Sequence, residues 1–87
     1  MANLSGNWSD GTNWTQSGNK IGWSKTHSND VEENGWGTIS GDTITAEWTN
    51  SGGLNRDKTY SDTGTIKYNS DESVKGIQWD KAGFVRK

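Results

Sequence analysis

The sequence predicts an all-β fold: a small antiparallel meander barrel of about six to eight short strands, with an open β-sandwich as the alternative. Three observations point there. Proline is absent while 12 glycines accompany abundant Thr, Ser and Asn, the composition of short strands joined by tight turns. Apolar and polar residues alternate over short stretches, as in "TITAEW", where Ile44, Ala46 and Trp48 fall on one face. One layout recurs at Trp14–Trp23, Gly37–Trp48 and Gly64–Trp79. Each copy is a strand, a Gly/Asn/Asp/Ser turn and a second strand that ends in Trp.

The elements follow in order. Strands are expected near 3–9, 12–16, 19–24, 35–40, 43–49, 63–68, 74–79 and 83–86. Asp10-Gly11 reads as a two-residue hairpin turn. That turn pairs Ser9 with Thr12, Trp8 with Asn13 and Asn7 with Trp14. Alternation then sets Trp8 and Trp14 on opposite faces, one buried and one exposed. Ser17-Gly18-Asn19 and Ser40-Gly41-Asp42 are compact turns whose glycine can take a positive φ. The third copy turns through the longer Asn69–Ser73 segment, and Gly76 marks a bulge that brings Val74 inward. Trp23, Trp48 and Trp79 hold equivalent inward places and belong to the core. The segments 25–34 and 50–63 read as long loops, which in a compact domain are usually functional or disordered. A chain built of hairpins has edges to hide, and closure into a barrel hides them.

The Gly6-x-Trp8 opening in "SGNW", with Arg86 in "GFVRK", resembles the lipocalin- and avidin-type barrels, the calycins. The resemblance covers the two chain ends. It implies a closed antiparallel meander with neighbouring termini. It also implies that Trp8 is the structural indole, plugging one end, and that Trp14 is the exposed one. The chain is far shorter than a lipocalin, and core indoles should fill so narrow a barrel, which argues against an internal ligand calyx.

Composition narrows the function. At 87 residues, the chain makes one domain, 1–87. A mean hydropathy of -1.05 would suit disorder, but six tryptophans and a net charge of -2 argue for an ordered, aromatic core. There is no cysteine, so neither a disulfide nor a thiolate metal site can form. The lone His27 leaves zinc, copper and haem without their usual ligands, and no cofactor is expected. With a pI near 5.2 there is no electrostatic footprint for nucleic acid. No apolar run is long enough to span a membrane. "MANLSGNW" has neither the basic start nor the apolar run of a signal peptide. A soluble protein is expected, cytoplasmic or secreted with its leader absent.

Catalytic groupings are missing too. His27 lies in the polar "SKTHSND". Glu32 and Glu33 are adjacent, so a strand would point them to opposite faces, which rules against an acid–base pair. "SDGTN" and "NSDES" carry oxygens without the EF-hand spacing. Asn3, Asn7 and Asn13 each match the N-glycosylation pattern, which a chain this rich in Asn, Ser and Thr also meets by accident. No enzyme is expected.

Binding is the class that survives. Trp14 and Trp36 fall outside the inward Trp pattern, and Gly35 and Gly37 leave the ring faces of Trp36 accessible. With Asp10, Asn13 and Asn34 nearby, an exposed indole suits a pyranose. The C–H face of the sugar stacks on the ring while its hydroxyls meet amides and carboxylates. The expected function is therefore a non-catalytic, lectin-like module for a carbohydrate or cell-surface glycan. The alternative is a structural or partner-binding assembly component without a small ligand. Arg56 and Tyr60, in the 50–63 segment, would then anchor a protein surface.

Overall fold

A computed structural model describes residues 2–28, 30–51 and 58–87. Eight strands follow one another: β1 (Gly6–Asn7), β2 (Asn13–Ser17), β3 (Lys20–Thr26), β4 (Glu32–Ser40), β5 (Thr43–Ser51), β6 (Thr59–Tyr68), β7 (Val74–Trp79) and β8 (Gly83–Arg86). They form a single sheet in sequence order, every neighbouring pair antiparallel. The architecture is a curled meander rather than a two-sheet sandwich. No helix long and apolar enough to cross a membrane occurs among the described residues.

Two kinds of turn set the register. β2–β3 and β4–β5 are joined by two-residue turns, with Ser17 opposite Lys20 and Ser40 opposite Thr43. Gly18 (φ 59°) and Gly41 (φ 61°) carry the positive φ at the first central position, the type II′ hairpin signature.

The second kind is one residue longer. Trp8 N–H bonds Thr12 C=O at 2.8 Å and Gly11 N–H bonds Trp8 C=O at 3.0 Å, with Gly11 at φ 87°. The same two bonds close His27–Val31 and Asn69–Ser73, where Asp30 (φ 64°) and Glu72 (φ 71°) take the left-handed position. This is the three-residue loop made of a tight turn followed by a left-handed residue. Side chains reinforce it. Asp10 Oδ1 accepts from Thr12 N–H at 3.0 Å and Thr12 Oγ1 at 2.6 Å. Asp71 Oδ1 accepts from Ser73 N–H at 3.0 Å and Ser73 Oγ at 2.5 Å.

The longer loop corrects the two-residue turn expected at Asp10-Gly11. Asn7 pairs with Asn13 and Gly6 with Trp14. A slip of one residue moves every side chain to the other face. Trp8 and Trp14 therefore share the concave face and are 4% and 5% exposed. Trp8 is buried as expected, but Trp14 is not the exposed indole.

Much of both expected long loops is strand. β3 runs to Thr26 and β4 begins at Glu32, while β5 runs to Ser51 and β6 begins at Thr59. Tyr60 accordingly lies in β6, and Arg56 lies outside the described residues. The bulge is present: Lys67 pairs with Gly76 and Tyr68 with Val74, skipping Lys75. Val74 packs against the core.

The concave face carries the core in rows. One row runs Trp14–Trp23–Gly35–Trp48–Tyr60, strand by strand from β2 to β6. Another runs Ile39–Ile44–Gly64–Trp79. Large rings beside glycines let the sheet bend tightly. Trp23 on β3 and Trp79 on β7 meet at 6.1 Å between ring centroids although three strands separate theirs. The result is a half-barrel whose indoles supply the apolar area that a chain poor in Leu and Val otherwise lacks. The termini meet as expected. Ser9 N–H and Oγ both bond Arg86 C=O, at 3.3 and 2.5 Å, and Lys87 Nζ bonds Asn3 C=O at 2.9 Å.

One buried charge ties the far side together. Asp62 on β6 is 5% exposed. Its carboxylate accepts from Lys81 N–H at 2.9 Å, Ala82 N–H at 3.1 Å and Thr63 N–H at 2.8 Å. It pins the β7–β8 turn to the sheet, with its charge met by backbone donors.

Candidate functional site

One end of the concave face is an unbroken run of aromatic rings. Trp8 stacks on Trp14 and Trp14 on Trp23, each at 4.7 Å. Trp23, Trp48 and Trp79 form a triangle with centroids 6.1 to 6.5 Å apart and planes 45° to 59° from one another. Tyr60 stacks on the outer side of this group, 5.9 Å from Trp48. The tilted indoles leave a cleft of about 160 Å³ between them. Trp14, Trp23, Trp48 and Trp79 wall it, Asp10, Thr12 and Glu33 line it on the polar side, and Ala82 and Val85 complete the lining.

Carboxylates hold two of the indoles in place. Trp14 Nε1–H donates to Thr12 Oγ1 at 2.8 Å, and that hydroxyl donates to Asp10 Oδ1. Trp23 Nε1–H donates to Glu33 Oε2 at 2.7 Å, while Glu33 Oε1 lies 3.2 Å from His27 Nε2. Trp8 Nε1–H is satisfied by Leu4 C=O at 2.8 Å. The N–H groups of Trp36, Trp48 and Trp79 have no partner among the described residues. A buried indole N–H usually finds a partner, so the free donors of Trp48 and the 7% exposed Trp79 are notable. Neither is sealed in. The one fully buried side-chain polar atom without a partner among the described residues is Asn50 Oδ1. Asn50 lies on β5 opposite Glu33.

The expected site residues divide between two faces. Trp14 and Asp10 stand at the concave cleft. Trp36, Asn34 and Asn13 lie on the convex face, Asn13 and Asn34 joined across the sheet through Ser24. Trp36 is 45% exposed, as expected from its flanking glycines. It lies between Gly22 and Glu47 on the adjoining strands, beside a shallow groove lined by Lys20, Thr38 and Thr45. The five residues therefore do not form one constellation, because the sheet itself separates them. Tyr60 belongs to the aromatic run rather than to a protruding loop.

Trp23, Glu33, Trp48 and Trp79 join Trp14 and Asp10 at the cleft and were not expected there. For Glu33 a signal existed. Alternation counted back from Ile39 through Gly37 and Gly35 turns Glu33 inward and Glu32 outward, as their burial confirms. The core assignment holds for Trp79, a buried member of the core, and in part for Trp48, which is half-buried and packs against it. Their place at the cleft follows only from the curl. No group of three or more potential metal-binding side chains occurs among the described residues. No family model, curated protein or solved structure matches the chain.

Proposed function

We propose that this chain is a non-catalytic binding module that holds one saccharide ring in the concave indole cleft. The observation that carries this reading is a ring-sized cleft lined by Trp48 and Trp79, whose N–H groups have no partner among the described residues, beside two carboxylates. The volume of about 160 Å³ compares with the ~150 Å³ apolar cavity that accepts a benzene molecule. It falls short of the ~300 Å³ at which drug-sized ligand pockets begin. One six-membered ring fits the space. Indole faces suit the C–H face of a pyranose, the Trp48 and Trp79 N–H groups suit its oxygens, and the Asp10 carboxylate suits its hydroxyls.

The affinity should be modest. A monosaccharide of about twelve heavy atoms at roughly 0.3 kcal/mol each gains about 4 kcal/mol, a dissociation constant on the order of 1 mM. The test is a tryptophan-fluorescence titration with a panel of monosaccharides against the parent chain, W48F and W36A. W48F keeps an aromatic ring but loses the N–H and half the stacking face. The reading expects weakened binding in W48F and parent-like binding in W36A. No response to any sugar at about 50 mM, far above that constant, sinks it, as does loss of binding in W36A alone.

A second reading rests on Trp36. A Trp that is 45% exposed on a β-sheet face, sharing a groove with Lys20 and Glu47, is the kind of residue that anchors a protein partner. This would make the convex face an assembly surface with no small ligand.

A further inference from the structure

We infer that the ring held in the cleft carries an ammonium group: an amino sugar, in preference to a neutral hexose or a uronic acid. This rests on the saccharide reading above. The charged side chains that line the cleft, Asp10 and Glu33, are both acids, and no Lys or Arg lines it. The indole faces act in the same direction, because a cation over an indole is attracted by the negative face of the ring. Lys25 stands nearby, opposite Glu33 across β3–β4 and with its Cε beside Gly11. It does not line the cleft, so a uronate there would meet carboxylates and aromatic faces first.

The two acids have different parts. Both Glu33 oxygens are engaged, Oε2 by Trp23 and Oε1 by His27, and Lys25 is its partner across β3–β4. Glu33 therefore positions Trp23. Asp10 is exposed and uses only Oδ1, toward Thr12. Its Oδ2 has no hydrogen-bond partner among the described residues and is the atom assigned to the ammonium. Trp79, more than nine-tenths buried, lines the same cleft; its N–H has no partner among the described residues and supplies a donor for a ring oxygen.

The test compares glucosamine, N-acetylglucosamine, glucose and glucuronate, which share a ring and differ in charge. Titrations run at low ionic strength, where exposed charges are least screened, and at a pH that keeps the amine protonated. Glucosamine should bind roughly five- to twenty-fold tighter than the neutral sugars, and glucuronate weakest. D10N keeps the oxygen that Thr12 needs, so the turn survives. It should cut glucosamine binding more than neutral-sugar binding, narrowing the glucosamine preference about two- to five-fold. Equal binding of glucosamine and N-acetylglucosamine, or an unchanged preference in D10N, overturns the inference and leaves the saccharide reading standing. Failure of all four sugars takes both down.

Discussion

The indoles of Trp8 and Trp14 stack at 4.7 Å with 25° between their planes, although five residues and a hairpin turn separate them in sequence. The stack exists because the β1–β2 loop holds three residues and not two. Both rings lie in the core, so both W8A and W14A should behave as core deletions. Each is expected to cost about 3–5 kcal/mol, much of the total stability of a domain this size. Urea denaturation checks this, and a W14A chain as stable as the parent would contradict the shared face.

Gly35 lies directly beneath the Trp23 ring. A Cβ there would stand 2.1 Å from Trp23 Cε2, whereas one at Gly22 would meet nothing closer than 3.5 Å. The two glycines should respond with opposite signs. G35A must displace the indole and lose roughly 1–3 kcal/mol. G22A should gain up to about 0.5–1 kcal/mol, because a strand glycine is costly to order. Thermal melts of the pair decide it, and a G35A melt at the parent's temperature would contradict the packing of Trp23.

Glu72 occupies a left-handed position at φ 71° where the equivalent residue of the first loop is Gly11. The side chain works against that conformation. E72G should stabilise the protein by about 0.5–1 kcal/mol, net of the entropy glycine adds to the unfolded chain. For a domain of this length that raises Tm by roughly 2–8 °C. A lower Tm would contradict the loop geometry.

Asp71 in the same loop has its pKa lowered, first by the Ser73 hydroxyl and then by the Ser73 backbone N–H. Its folded value lies below its unfolded value of about 3.8. The stabilisation it gives is therefore present above that value and is lost as the pH falls through the lower folded one. D71N should flatten the acid limb of a stability–pH curve and leave the slope near neutrality unchanged. An acid limb identical in the two proteins would contradict it.

How much of this was legible depends on the range of the interaction. Alternation in "TITAEW" is local, and all eight strands were placed in order from such patterns. The face shared by Trp8 and Trp14 turned on one residue of loop length, and Asp-Gly fits either loop. What selects the longer one is the Asp10 bond to Thr12, written in sequence as "SDGT" and again as "SDES" at 70–73. Asp62 reads as a polar interruption of an inward row until the β7–β8 turn supplies its donors. The site was the least legible part. Trp48 and Trp79 line one cleft with Trp23 because the curl brings Trp23 and Trp79 together from across the sheet, and no window of neighbouring residues encodes that contact.

The most direct test is an NMR spectrum of the six indole N–H groups, assigned by single Trp→Phe variants and recorded with and without amino sugar. Glucosamine and N-acetylglucosamine serve as ligands at about 20 mM, well above a dissociation constant on the order of 1 mM. A sugar in the concave cleft should move the Trp48 and Trp79 resonances most, since their donors have no partner among the described residues. The Trp8, Trp14 and Trp23 resonances, already bonded to Leu4, Thr12 and Glu33, should move little. Shifts confined to Trp36, or no shift in any of the six, would contradict a concave saccharide site.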